Sequence, residues 1–455
     1  MTAIRDQLLY KPDYFIAEYE LASYIRDIHQ AGCQKIEPLL DGLKHRQPEA
    51  VINACTKPVS ILTGPAGTGK TTTLKNVILS FSAAGMKGAV ACPSGKAAKR
   101  ANNSINNEIK LVECSTIHSL LQYDPYSGGF VYNRNNKFSN LDYIVIDEYP
   151  MTDLMIARDL LSAIEAGGTR VIFSGDPNQL PSVDPGSVGR DLLMVPQLPA
   201  VTLDVVLRQG AKSGIVVNAN RVLAGRTFLK RDPHTDEEFT DCFFTHRKDE
   251  KETFQTILNW MNPDNKNGIP QKRGWNPVDD IQCLSPGKKS HCGTVQMNEA
   301  LQKVFSTSKR TMFNFTLGDK VINNENNKQL GIVNGDVGVI RDMDVSGSAS
   351  NHKLVIDFGY QQPTRMTYEQ SRALNLAYCF TVHKSQGSEY KAVLGPIHTS
   401  HAMLLTRNLL YTWMTRASEL FCLVGDPKAL EMAIRNDSPA RRKSRLRMIL
   451  IDMLK

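Results

Sequence analysis

The chain alternates short apolar runs with segments of helical spacing. Ser60, Ile61 and Leu62 end one apolar run, and Leu74, Val77 and Ile78 then recur at the spacing of one helix face. Leu141 to Ile146 forms a second run that stops at Asp147–Glu148, and Val171 to Phe173 forms a third that stops at Gly175–Asp176–Pro177. Near the other end, LAYCF (Leu376 to Phe380) leads into the polar stretch TVHKSQGSEY, and KAVL (Lys391 to Leu394) follows it. ELFCLVGDPKALEMAI echoes the third run, with Leu430 standing where Leu180 stands. Strands alternating with helices predict an α/β protein, and the echo suggests two similarly built sheets. From Phe315 to Thr367 the pattern changes to KVINN, GDVGVIRDMDV and HKLVIDF, separated by NG and SGS turns, which reads as a small β-barrel. FIAEYELASYIRDI predicts an amphipathic helix on the first core, and the basic tail ARRKSRLRMILIDMLK predicts either contact with phosphates or, favoured over it, a solvated helix docked through Met448, Leu450 and Met453. Residues 210–280 are polar and poorly periodic and receive no assignment beyond connections and helices.

Length and composition narrow the class. A chain of 455 residues, 41% apolar and 22% charged, has room for several globular domains. No apolar stretch is long enough for a transmembrane helix, and MTAIRDQLLYKPDYF lacks the apolar segment of a secretory leader. The nine cysteines are scattered singly, without a CxxC pair, which argues against a zinc module and for a reducing, cytoplasmic setting. The formal charge of +8 favours a polyanionic partner, though weakly.

The strongest chemistry lies at Gly64–Pro65–Ala66–Gly67–Thr68–Gly69–Lys70–Thr71, which fits GxxxxGK[ST] between a strand and a helix. Its glycines let backbone N–H groups wrap a phosphate, and the helix N-terminus that begins there, with Thr72 in its first turn, adds partial positive charge. Lys70 is expected on the β- and γ-phosphates of ATP and the Thr71 hydroxyl on Mg²⁺. Asp147 and Glu148, at the carboxyl end of a strand, are the expected second Mg²⁺ ligand and the base for the attacking water. Gln179, in GDPNQ, can hydrogen-bond a γ-phosphate and register its presence. The second half has no phosphate loop, so its expected contribution is cationic. Arg208 in LDVVLRQ and Arg416 in RNLLYTWMTRASE each follow an apolar run, and an arginine against the γ-phosphate supplies on the order of 10³–10⁵ in rate.

These motifs resemble, in order, those of the superfamily-1B helicases of the RecD/TraA type, including Dda-like phage enzymes. HRQPEAV, GPAGTGKTTT, VACPSGKAAKR, STIHSLL, VIDEYPM, FSGDPNQLPSV, LDVVLRQ, LAYCFTVHKSQGSEY and RNLLYTWMTRASE carry the resemblance, from about residue 41 onward. It implies two RecA-like parallel-sheet domains in tandem, with ATP between them and small β insertions. Gln47 would read adenine, Gln386, Gly387 and Glu389 would contact the nucleotide, and Arg208 and Arg416 would be arginine fingers. Pro93, Ser94, Lys96, Thr116 and His118 would line a single-strand track on the first core, and Thr381 and His383 on the second. The loop at Thr381–Tyr390 would thus touch both nucleic acid and nucleotide. An insertion between Leu121 and Leu141 reads as a hairpin around Gly128–Gly129; in the family such an insertion is a pin that splits duplex, and Phe130 or Tyr132 either stacks on a base or packs the hairpin's own base. Two departures stand out. Tyr149–Pro150 replaces the family's small residues, and Trp413–Met414 is bulky where smaller residues are usual.

The expected organisation is an N-terminal helical segment (1–40), a first RecA-like domain (41–195) with the hairpin at about 121–142, the first part of a second RecA-like domain (196–314), an SH3-like insertion (315–367) and the remainder of the second domain (368–455). The expected function is an ATP-driven DNA helicase using ATP and Mg²⁺. It would track on single-stranded DNA, 5′ to 3′ by the resemblance, and unwind tailed duplex. Replication or repair proteins are possible partners, and no membrane or zinc is expected. The rivals are an RNA helicase or nucleoprotein-remodelling translocase, a non-translocating ATP-dependent switch, and a helicase subunit of a nuclease complex.

Overall fold

A computed structural model describes the chain except residues 1, 2, 6, 7, 107–109, 127, 207–212, 234, 307, 347–350 and 439–441. It divides into two units, Met1–Ala211 with Ser438–Lys455, and Lys212–Asp437.

In the first unit, β1 (Val59–Thr63), β2 (Gly88–Cys92), β3 (Glu113–Thr116), β4 (Tyr143–Asp147), β5 (Arg170–Gly175) and β6 (Ala200–Thr202) form one six-stranded sheet in the order β6-β1-β5-β4-β2-β3. Every pairing is parallel. Both faces are covered, which is why β1, β4 and β5 read as continuous apolar runs rather than alternating ones. One face packs helices Pro12–Ala31 and Leu154–Ser162 through Leu21, Ile25, Leu160 and Leu161. The other packs helices Gln47–Thr56, Lys70–Ala83 and Gly95–Ile105 through Val51, Leu74, Phe81 and Ala101. Buried Arg170 donates to the carbonyls of Ala54 (3.1 Å) and Cys55 (3.0 Å), capping the end of the helix that starts at Gln47.

The N-terminal helix forms as expected from its apolar stripe. The tail helix, Leu446–Met453, also forms, but it packs through Leu446 and Leu450 while Met448 is 54% exposed. It lies on the N-terminal helix, where Glu18 accepts from the Ser444 hydroxyl (2.7 Å) and the Arg445 N–H (3.1 Å). Two expected boundaries therefore shift. Residues 196–206 belong to the first unit, whose sheet β6 completes, and residues 442–455 return to that unit.

The second unit has strands β7 (Cys242–His246), β8 (Ile281–Ser285), β9 (Lys320–Asn323), β10 (Val337–Asp344), β11 (Lys353–Asp357), β12 (Thr364–Met366), β13 (Leu374–Leu376), β14 (Cys379–Thr381), β15 (Tyr390–Ile397) and β16 (Ala417–Gly425). A parallel sheet runs β7-β16-β15-β8-β14, and an antiparallel sheet runs β12-β11-β10-β9-β13 around its own core of Val321, Ile340, Leu354 and Ile356. The insertion thus reaches Leu376, beyond the expected end at 367, because β13 pairs with β9. The unassigned stretch 210–280 supplies helices Gly214–Leu223 and Glu250–Met261 and strand β7. The bulky Trp413 is accommodated by a glycine. Trp413 is fully buried against Phe421, and a Cβ on Gly395 would lie 2.0 Å from its ring.

Candidate functional site

The phosphate loop leaves β1 at Thr63 and enters the helix Lys70–Ala83. Gly64, Gly67 and Gly69 have φ of 152°, 79° and 84°, conformations that side chains resist. A Cβ at Gly64 would also sit 2.5 Å from the Leu203 carbonyl oxygen. The loop is closed internally by Thr68 Oγ1 donating to the Pro65 carbonyl (2.9 Å) and Thr73 Oγ1 to that of Gly69 (2.9 Å). Lys70 Nζ donates to the carbonyls of Gly64 (2.6 Å) and Pro65 (2.8 Å). Burial holds its pKa below the usual lysine range, against the opposing pull of Asp176, Glu148 and Asp147. An ammonium held among loop carbonyls has a strong electrostatic reason to move to a phosphate. Thr71 and Thr72 are exposed on the first helical turn.

Gln47, also buried, stands beside the loop. Its Oε1 accepts from the Lys44 N–H (2.9 Å), and its Nε2 points at the carbonyls of Thr68 and Gly69 (both 3.4 Å). Pro48 falls in the first turn of the helix beginning at Gln47, where its missing N–H costs nothing.

Asp147 ends β4, and Ser174 on the neighbouring β5 donates its hydroxyl to Asp147 Oδ1 at 2.8 Å. Burial and the adjacent Glu148 charge raise the Asp147 pKa, and the Ser174 hydrogen bond opposes the rise. Glu148 has φ 54°, an uncommon left-handed conformation outside glycine. Its carboxylate lies 3.4 Å from Arg100 Nη1, on the helix Gly95–Ile105. The following Tyr149–Pro150–Met151 forms one tight turn, and the space for this departure comes from two glycines. A Cβ on Gly175 would lie 2.5 Å from Pro150 Cδ, and one on Gly189 would lie 2.9 Å from Pro150 Cα. The Tyr149 hydroxyl donates to the Gly189 carbonyl (3.2 Å). Gln179, buried, lies 3.5 Å from Asp176 Oδ2.

Three expected track residues share one local design, a strand end whose hydroxyl caps the next turn. Ser94 follows β2 and Pro93 and accepts from the Ala97 N–H; Thr116 ends β3 and accepts from Ser119; Thr381 ends β14 and accepts from Lys384. Lys96 is half-buried in the first turn after Ser94, and His118 and His383 are exposed. The hairpin pairs Tyr123 with Phe130 and Asp124 with Gly129. Phe130 packs edge-on against His118 (5.7 Å) and Tyr123 (5.6 Å), and Tyr132 packs on Phe138 (4.7 Å). Both rings thus pack the hairpin's base.

In the second unit, Arg416 is buried beside the loop that follows β14. It donates from Nη1 to the Ser388 carbonyl (2.9 Å) and from Nε to that of Thr412 (3.1 Å), while the Tyr390 N–H donates to its own carbonyl (2.8 Å). Gly387 turns the loop with φ 73°; Gln386 is half-buried and Glu389 exposed. Arg208 lies outside the described residues.

Sequence reasoning missed three residues of this constellation. Ser174, the residue before the GDP motif, was legible only as strand. Arg100, the last residue of VACPSGKAAKR, gave no sign that it meets Glu148. Arg442 gave none either, yet it donates to the carbonyls of Ser182 (2.8 Å), Asp184 (3.1 Å) and Gly186 (3.1 Å) and to the Ser182 hydroxyl (3.2 Å), on the loop that follows Gln179.

Among the described residues no cluster of three or more His, Cys, Asp or Glu could hold a metal ion, and no helix is long and apolar enough to cross a membrane. Asp147 and the Thr71 hydroxyl offer hard oxygen donors of the kind that share Mg²⁺ with substrate phosphates rather than cage it alone.

Comparison with known proteins places these motifs in context. An AAA domain family matches residues 42–231, and a UvrD-like helicase C-terminal domain matches residues 376–424. The ATP-dependent RecD2 DNA helicase of Deinococcus radiodurans is 29% identical over 457 residues, covering 97% of this chain; this chain spans 58% of that relative's length. The RecBCD enzyme subunit RecD of Haemophilus influenzae is 25% identical over 96% of this chain and 79% of its own. Among solved structures, a Pif1 helicase from Bacteroides in complex with ADP-AlF3 and ssDNA aligns with a TM-score of 0.53 at 17% identity, over 88% of this chain and 96% of that one. A second Pif1 structure, of DNA unwinding at forked dsDNA, aligns with a TM-score of 0.51 at 18% identity, over 88% of this chain and 96% of that one. At such identities the structures establish the shared fold, two RecA-like α/β domains.

Proposed function

We propose that the chain is a superfamily-1B helicase of the RecD type, an ATP-dependent DNA helicase that tracks on single-stranded DNA and unwinds tailed duplex. The observation that carries this reading is the catalytic set of the first unit, with Lys70, Asp147, Glu148, Asp176 and Gln179 gathered at the carboxyl ends of β1, β4 and β5.

In the proposed reaction Lys70 leaves its loop carbonyls for the β- and γ-phosphates. Mg²⁺, held by Thr71 and Asp147, would neutralise phosphate charge. Glu148 orients a water and accepts its proton as the water oxygen bonds to the γ-phosphorus. The bond from that phosphorus to the β–γ bridging oxygen breaks, and ADP carries the released charge. Glu148 is paired with Arg100, and Arg100 belongs to the same helix that Ser94 caps, so DNA held there is poised to influence the base. Gln179 is the proposed γ-phosphate sensor, Gln47 the proposed adenine reader, and Arg208 and Arg416 the proposed arginine fingers. Gln386, Gly387 and Glu389 are proposed to contact nucleotide. Pro93, Ser94, Lys96, Thr116, His118, Thr381 and His383 are proposed to hold the strand. The hydrogen bond from Arg416 to the Ser388 carbonyl supports a shared movement of the finger and the Thr381–Tyr390 loop.

The relatives that act on DNA favour DNA over RNA, and 5′-to-3′ movement accords with the family. A bacterial or phage-infected cytoplasm is the proposed setting, with replication or repair proteins as proposed partners. The test is unwinding of 5′-tailed, 3′-tailed and RNA-tailed duplexes. Unwinding of the 5′-tailed DNA alone is expected. Strand separation only from RNA tails, or none with vigorous ATP turnover, would favour the RNA helicase or the switch.

A further inference from the structure

The second unit contains a cavity of about 560 Å³ between its antiparallel insertion and its parallel sheet. Its lining includes Phe313, Tyr368, Lys288, Lys384, Arg372 and Thr381. Three cations thus face it against one carboxylate, Glu299. The volume falls in the range of sites for small ligands, too small for a duplex and ample for one nucleotide.

Its walls are bolted together. The Asn298 side chain on helix Thr294–Phe305 donates to the Cys379 carbonyl (2.7 Å) and accepts from the Cys379 N–H (2.8 Å). Asp319 accepts from the Thr316 N–H (2.7 Å), Gln302 Nε2 (2.6 Å) and the Tyr378 hydroxyl (3.0 Å). Lys384 Nζ donates to Asn324 Oδ1. The insertion, the helix and the loop after β14 therefore form one body, and the cavity is preformed.

Two aromatic residues stand at its edge. Tyr368 is 55% exposed, and its ring meets that of Phe313 at 5.2 Å and 63°. Phe313 and Asn314 both hold positive φ, 53° and 68°, in the turn between Thr311–Met312 and Phe315–Thr316. A bulky residue in that conformation is rare, and such outliers concentrate at functional sites. Burial and the nearby Lys288 charge both depress the Lys384 pKa, so an anion arriving between these lysines would relieve their repulsion.

We propose that this cavity receives one unstacked nucleobase of the tracked DNA strand, with Tyr368 and Phe313 offering aromatic faces and Lys288 and Lys384 holding the adjoining phosphates. The inference rests on the proposed DNA-tracking function and extends the track from Thr381 into the insertion. A base–aromatic contact suits a motor that must be indifferent to sequence, because every base has a face to stack.

The test uses the full chain and fluorescent single-stranded oligonucleotides, one ordinary and one with abasic positions throughout the bound length. Wild-type protein is expected to bind the abasic strand more weakly. Tyr368→Ala is expected to lose ~5- to 150-fold in affinity for the ordinary strand, the range for one stacked base, and to gain almost nothing from restoring bases at the abasic positions. Thermal unfolding checks that the variant is folded. As an independent arm, Lys288→Gln is expected to reduce the slope of log affinity against log salt by about one. If wild-type protein binds DNA but Tyr368→Ala keeps its affinity and its preference for the ordinary strand, the cavity assignment is wrong while DNA tracking stands. If wild-type protein binds no single-stranded DNA, the functional reading fails and the cavity assignment falls with it.

Discussion

Ser174→Ala isolates the support of the proposed metal ligand. Ser174 is 1% exposed, and its hydroxyl donates to Asp147 Oδ1 at 2.8 Å across the β4–β5 pairing. Alanine removes that donor with little change in volume, so the sheet should survive. A hydrogen bond to a charged acceptor contributes ~1.5–3 kcal/mol, which at about 1.4 kcal/mol per decade is ~10- to 150-fold. Loss of the partner that orients a metal-binding group typically costs ~10- to 100-fold in metal affinity, which agrees. The assay is ATP hydrolysis at saturating ATP and single-stranded DNA, titrated with Mg²⁺. Half-saturation should move to higher Mg²⁺ by about those factors. The pH profile carries a second readout. Burial and Glu148 already raise the Asp147 pKa, and removing the Ser174 donor raises it further. Since a carboxylate must be deprotonated to bind the metal, the fall in activity on acidification should begin at higher pH in the variant. A Mg²⁺ requirement and an acid limb both superimposable on wild type would refute this supporting role for Ser174.

Gly175→Ala should force Pro150 away from a Cβ placed 2.5 Å from its Cδ; thermal unfolding should show a loss of ~1–3 kcal/mol, and an unchanged melting temperature would mean that the turn yields freely. Arg442→Ala should release the loop at Ser182–Gly186 and lower ATP turnover several-fold at nearly constant DNA affinity, measured by steady-state kinetics beside strand binding; unchanged turnover would make the tail contact purely architectural. His383→Ala should weaken stimulation by DNA more than basal hydrolysis, and the reverse order would place this exposed side chain on the nucleotide alone.

The parts legible from sequence were those fixed by local chemistry. GPAGTGKT announces its own backbone, and an apolar run ending in Asp147–Glu148 announces a strand end, because each signal spans a few residues. Ser94, Thr116 and Thr381 were expected to line a strand of nucleic acid, and in the structure each caps the following turn, a role that its position before a helical turn encodes. What escaped were contacts between distant segments. Arg442 meets the Ser182–Gly186 loop across about 260 positions, and the tail's return to the first unit follows the same long-range packing. Met448 lies two positions from Leu450, about 200° around the helix, and so faces solvent while Leu446 and Leu450, four positions apart, share the packed face, a distinction that an apolar count does not resolve. Tyr149–Pro150 looked like a departure until Gly175 and Gly189 supplied the space for it.

The central claim is that nucleic acid drives the nucleotide chemistry. The direct measurement is the steady-state rate of ATP hydrolysis with and without saturating single-stranded DNA, for wild-type protein and for Lys70→Ala. A many-fold rise in the wild type, with negligible turnover by the folded Lys70→Ala protein in either condition, is the predicted result. Equal wild-type rates with and without DNA, or near-normal hydrolysis by Lys70→Ala, would contradict it.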